Sequence, residues 1–198
     1  MRSKIYLGLS ALLITYAVFG WWSDRPVHHQ TGVLAAAEPV QTAVENIAPL
    51  EKSGFTIKPL ARYEITARVL SKERYRWDAG AKLAPVDLAV GWGPMSDSAV
   101  LDKLKISQDT RWYSWRADVL PIPNDEINRH AANMHLIAAD NGIAQQIRQV
   151  RAGKIITLRG YLVEVRGEDG FTWKSSLTRE DSGSGACELM WVESFSVQ

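Results

Sequence analysis

The chain has 198 residues, with 23 Lys and Arg set against 22 Asp and Glu, and a single cysteine, Cys187. That length accommodates one ordinary domain plus a targeting segment and excludes two full domains. Arg2 and Lys4 fall in residues 1–22, where there is no acid, so the rest of the chain is near neutral. No nucleic-acid partner is therefore expected, because neutralising phosphates needs a basic excess. One thiol also rules out an intramolecular disulfide, which leaves stability to packing.

Residues 5–22 read IYLGLSALLITYAVFGWW without a charge. As a helix they span about 27 Å, close to the thickness of a bilayer's hydrocarbon core. Trp21 and Trp22 then fall at one interface and Arg2 and Lys4 at the other. The positive-inside bias puts the amino terminus in the cytoplasm and the remainder in the periplasm, as a single-pass signal-anchor of a bacterial-type inner membrane. A cleaved signal peptide needs a small-residue site just beyond the apolar run, whereas the nearest triplet is Ala35-Ala36-Ala37. No cysteine follows the run to accept a lipid. Residues 23–56 are polar, with Pro26, Pro39 and Pro49, and Phe55 is their only Phe, Tyr or Trp. They predict a flexible linker that holds the domain some distance off the bilayer. His28 and His29 in it are expected to be solvated.

The domain is expected over residues 57–198. Tyr63, Ile65, Ala67 and Val69 alternate with Arg62, Glu64, Thr66 and Arg68, the pattern of a half-buried strand. A second apolar run over 86–92 ends in the turn Gly91-Trp92-Gly93-Pro94. Ser96, Asp97 and Ser98 offer capping oxygens for a short helix that buries Val100, Leu101 and Leu104. Trp112, Ser114 and Arg116 alternate with Tyr113 and Trp115 in a further strand. After Pro121 and Pro123, Asn124 is expected to cap a short helical turn, and 134–138 reads as a brief strand. Asp140-Asn141-Gly142 opens the clearest soluble helix, with Ile143, Ile147 and Val150 on one face and Gly153 as its C-cap. A long strand follows, bent at Gly160. Asp169-Gly170 turns it into a hairpin with Phe171, Trp173 and Leu177 on one face. The last strand sets Cys187, Leu189, Trp191, Phe195 and Val197 on one side.

This order predicts a β-rich α+β domain. Several strands with a helix before a long bent strand resemble a small closed or half-closed barrel, with the OB-fold as the nearest familiar arrangement, and an irregular α+β sandwich as the alternative.

Chemistry is sparse. His130, Asn133, His135 and Asp140 lie close in sequence, yet two histidines five apart share no helical face, and no metal is expected. A thiol hydrolase built from Cys187 and His135, oriented by Asp140 or Asn133, follows the logic that a thiolate needs a neighbouring base. No cofactor is called for. The loop over 178–185, rich in glycine and hydroxyls, offers backbone amides to an anion, with Arg179 and Ser184 as contacts. Six of the eight tryptophans lie in the domain, and Trp77 and Trp92 are the ones expected to be exposed for ligand binding. The leading expectation is a membrane-anchored cell-envelope protein, not an enzyme, whose outer domain binds a partner protein or envelope component. An envelope hydrolase using Cys187 or the His130 and His135 cluster, and a sensor of small ligands or glycans using exposed tryptophans, are the alternatives.

Overall fold

The computed structural model describes residues 25–178 and 187–198. The apolar run over 5–22 and the loop with Arg179 and Ser184 lie outside the described residues. In chain order the elements are β1 (Val40–Ala43), β2 (Leu50–Lys52), β3 (Phe55–Arg74), β4 (Val86–Gly91), a 3-10 turn (Gly93–Ser96), α1 (Ser98–Leu101), β5 (Lys105–Asp109) and β6 (Trp112–Arg116). Then come α2 (Asn124–Arg129), β7 (Ala131–Ala138), α3 (Asn141–Gln149), β8 (Ile155–Gly167), β9 (Thr172–Lys174) and β10 (Glu188–Val197). The domain is β-rich α+β: a mixed eight-stranded sheet, a separate two-stranded hairpin and few helices.

The main sheet returns on itself. β3 pairs with β4, β4 with β7, β7 with β10, β10 with β8, and β8 with β3 again, so five strands form a ring. Every pairing in the ring is antiparallel except β7 with β10. β3 can serve both neighbours because it is long and kinked, with register shifts between Pro59 and Ala61 and between Val69 and Ser71. Such extra residues bend a strand and tighten its twist, which closes a sheet this small.

Alternation along each strand divides the apolar residues into an inside and an outside. Tyr63, Ile65, Leu88, Leu136, Leu158 and Met190 belong to the inner cluster, closed at one end by Ile143, Ile147 and Val150 of α3. Full burial of each Leu or Ile contributes roughly 1.5–3 kcal/mol. A second cluster, including Ile57, Ile137, Val163 and Leu189, lies on the outer face of the same strands under Phe171 and Trp173. β10 is thus buried on both sides, as suits a strand between two neighbours. At Gly160, opposite Val192, a Cβ would overlap the Trp191 carbonyl oxygen. The register shifts there between Val192 and Ser194, which turns Phe195 to the inner face. The expectation that Phe195 shares the face of Leu189 and Trp191 is corrected by this one bulged residue.

The stretch expected to be a linker is laid along the domain. Val27 N donates to Ala152 O at 2.8 Å, Gly32 N to Asp97 Oδ1 at 2.8 Å, and Leu34 N and Ala35 N both to Ser96 Oγ at 3.0 Å. β1 and β2 then pair with β3. Polar composition concealed this because the arm is held by main-chain hydrogen bonds, which leave little trace in side-chain chemistry. Trp92 is a second correction. It is 0% exposed, because Gly93 N bonds Ala35 O and its own Nε1 donates to Glu38 Oε2 at 2.9 Å, so the arm roofs it over.

Two helix ends also differ from expectation. Pro123, with no side-chain bond, occupies the N-cap of α2 instead of Asn124. α3 ends at Val150, and Gly153 has a φ of +88° with Val27 O against the place a Cβ would take. Glycine there accommodates the crossing of the arm.

Candidate functional site

Polar groups gather on the outer face of β4, β7 and β10. An aspartate inside the apolar run of β4 is the first sign, since Asp87 is 0% exposed. Pairing places it opposite His135, itself 2% exposed, with Nδ1 2.8 Å from Asp87 Oδ2. One residue pair toward the start of β7, Asn133 lies on the same face, and Cys187 precedes the parallel pair Glu188 and Met134. The thiol is 3.9 Å from Asn133 Nδ2 and 3.9 Å from Arg111 O. Leu189 stands opposite His135.

Arg111 organises the group. It sits in the turn of the β5–β6 hairpin, where Thr110 and Arg111 have φ of 48° and 69°. Two consecutive left-handed residues match a two-residue hairpin turn, though Asn and Gly are the usual occupants. Neighbours hold every part of the arginine. Its N–H donates to Tyr75 Oη at 3.0 Å and its carbonyl accepts from Asn133 Nδ2 at 2.8 Å. Nη1 reaches Asp87 Oδ1 and Ala84 O, both at 2.8 Å, and Nη2 reaches Asp78 Oδ1 at 2.7 Å. The guanidinium lies 3.9 Å from the Tyr75 ring centroid and 5.4 Å from that of Trp173. Trp173 also covers His135, with centroids 4.6 Å apart. Gln108 Nε2 completes the set by donating to Asn133 Oδ1 at 2.8 Å.

Burial sets the electrostatics. Tyr75 is raised above its ordinary range chiefly by loss of water, and Tyr113 on β6 is pushed up to about 12 by burial and then by the negative charges of Glu188 and Cys187. Both phenols are therefore neutral, serving as ring surface and hydrogen-bond groups.

The chain matches no protein-family model, no curated protein and no solved structure.

The residues singled out from sequence separate. His135, Asn133 and Cys187 come together. His130 lies apart from them, as the C-cap of α2 just before β7 begins. Its Nε2 is 3.1 Å from Glu38 Oε1 and its Nδ1 is 2.9 Å from Glu126 O, so it ties α2 to the arm. Asp140 caps α3 by accepting from Ile143 N at 2.8 Å, far from the thiol in role. Among the described residues no group of three or more His, Cys, Asp and Glu is arranged to hold a metal ion. Trp77 is 95% exposed and Trp112 42%, whereas Trp92 is buried. Asp87, Arg111, Tyr75 and Asp78 escaped the sequence reading. The available signal was Asp87 itself, a charge in the middle of Val86 to Trp92 that had to find a buried partner.

Proposed function

We propose that the chain is a membrane-anchored binding module of the cell envelope, without a catalytic step of its own. Residues 5–22 hold it in a bacterial-type inner membrane, and an OB-like barrel works on the periplasmic side. The OB-like reading is supported by the ring of β3, β4, β7, β10 and β8, with one parallel pairing and a helix between the third and fourth ring strands in chain order. Barrels of that kind take ligands on the face of their second and third strands and the loops beside it. Here the corresponding face is that of β4 and β7.

The observation that carries the binding reading is the closure of that face by the chain itself. Asp87 is 0% and His135 2% exposed, and the groups of Arg111 are engaged in fastening the hairpin over them. An acid–histidine pair enclosed in this way serves as a clamp between barrel and hairpin. Interaction then falls to the outer surface of the insertion over 92–130, which leaves β4 at Gly91, the end remote from the β3–β4 connection. There Val119 is 80% and Leu120 50% exposed. They border an open groove of about 620 Å³ with Ala99, Asp102, Lys103, Lys105, Asp118 and Pro121. Exposed apolar side chains, with two lysines balanced by two aspartates beside them, suit an extended apolar segment of a partner protein.

A photo-crosslinking residue at Val119 or Leu120 of the full chain in intact cells tests this. One discrete adduct with an envelope protein is expected, and none from the exposed control position Lys58. Equal yields at all three positions, or no adduct at any, would defeat the proposal.

A further inference from the structure

The fastening of the arm fixes how far the barrel can stand from a membrane anchor. Val27 N bonds Ala152 O at 2.8 Å and His29 Nε2 lies 2.9 Å from Gly153 O, so the chain meets the barrel at the corner between α3 and β8. Only four residues, 23–26, separate Val27 from Trp22. Fully extended, the five steps from Trp22 to Val27 reach no more than about 18 Å. This corner is therefore held close to the surface of any bilayer that residues 5–22 span, in place of the distant tether that the composition of 23–56 suggests.

The same corner is basic. Lys72 Nζ donates to Val150 O at 2.8 Å and Arg74 Nη2 to Arg148 O at 2.8 Å, bringing the end of β3 over the last turn of α3. These two cations offset the partial negative charge of the helix C-terminus. Arg76 and Arg148, both exposed, and the half-buried Arg151 then set the sign of this end. Two nearby carboxylates are turned to other tasks: Glu73 Oε1 accepts from Arg74 N at 3.1 Å, and Asp78 holds Arg111. Directly after Arg76 the β3–β4 connection presents Trp77, 95% exposed. A tryptophan so placed has nearly its whole ring in water, whereas at a membrane interface the same ring is favoured, and basic residues are attracted to anionic headgroups.

We propose that this end of the barrel docks on the bilayer that anchors the chain, with Trp77 in the headgroup layer and Arg76, Arg148 and Arg151 against anionic lipid. The inference rests on the membrane-anchor reading of residues 5–22. It deepens that reading by giving the domain one orientation, with the Val119 and Leu120 surface directed away from the membrane.

The test reconstitutes the full chain into vesicles of phosphatidylcholine, with and without phosphatidylglycerol, carrying lipids brominated near the headgroup. Subtracting the spectrum of Trp77→Phe isolates the emission of Trp77. In vesicles with phosphatidylglycerol that emission should fall roughly twofold and shift to the blue. The effect should be lost in a variant with Arg76, Arg148 and Arg151 changed to Glu, and kept when the same three are changed to Lys. Alkaline carbonate washing of the same vesicles examines the anchor separately. Retained protein with an unquenched, water-like Trp77 overturns the docking alone. Equal quenching in the Glu variant overturns the role of the basic cluster, and release of the wild type by carbonate overturns the anchor.

Discussion

Burying an aspartate side chain completely costs several kcal/mol unless partners replace the water it loses, and at Asp87 Arg111 Nη1 donates to Oδ1 at 2.8 Å while His135 Nδ1 lies 2.8 Å from Oδ2 without hydrogen-bond geometry. Removing one member of such a group strands the others. Asp87→Ala should therefore lower stability by about 3–5 kcal/mol, seen as a shift of the urea midpoint, and Arg111→Met should act in the same direction. Because each loss is largely the cost of the partner left behind, Asp87→Ala combined with Arg111→Met should cost clearly less than the two single losses together. Additive losses would show that the two side chains do not act as a unit.

Among the elements, the arm and the β5–β6 hairpin are two that the ring of strands does not itself require. The arm depends on Ser96, whose hydroxyl accepts from Leu34 N and Ala35 N and donates to Gly93 O at 2.7 Å. Ser96 is fully buried, so Ser96→Ala leaves two amides without their acceptor, that of Ala35 in a buried place. A loss of about 1–3 kcal/mol is expected, with faster hydrogen exchange at Leu34 and Ala35. Unchanged exchange at both amides would mean that the arm is held by its other contacts. Asp97 strengthens the same seam. Bonds from Gly32 N and Ala99 N hold its carboxyl below the ordinary carboxylate range, so its contribution is present above that range and lost as acid protonates it.

At the scale of the whole molecule, the hairpin makes the fold sensitive to alkali. Tyr113 has its pKa raised from 10.0 to about 12, so between those values the unfolded chain has released a proton that the folded chain still holds. Stability carried by this buried phenol is intact below about pH 10 and declines as pH rises toward 12. Circular dichroism across that window should show a shallower decline for Tyr113→Phe than for the wild type. Parallel curves would remove Tyr113 from the account.

Much of the fold was legible in the residues because it is local. Alternation along 63–69 predicted the buried face of β3, Asp140 with Ile143 and Ile147 predicted α3, and Asp169-Gly170 predicted the turn between β8 and β9. The close approach of backbone at Gly160 was legible too, since glycine in a strand marks one, although the extra residue lies opposite it in β10, between Val192 and Ser194. Other features required the assembled chain. Closure of the ring rests on β3 pairing with β8 roughly a hundred residues later, and hydrogen bonds between main chains carry no sequence code. The arm was hidden for the same reason. The buried group needed the register of β4, β7 and β10 before Asp87, His135 and Cys187 could share a face, and a hairpin turn before Arg111 could reach them. By itself the sequence determined which residues alternate, cap and turn, because those patterns depend on neighbours a few positions away. Which of them meet, and that the polar arm lies against the barrel, was decided by tertiary pairing, where loop closure brings distant segments together and burial selects their partners.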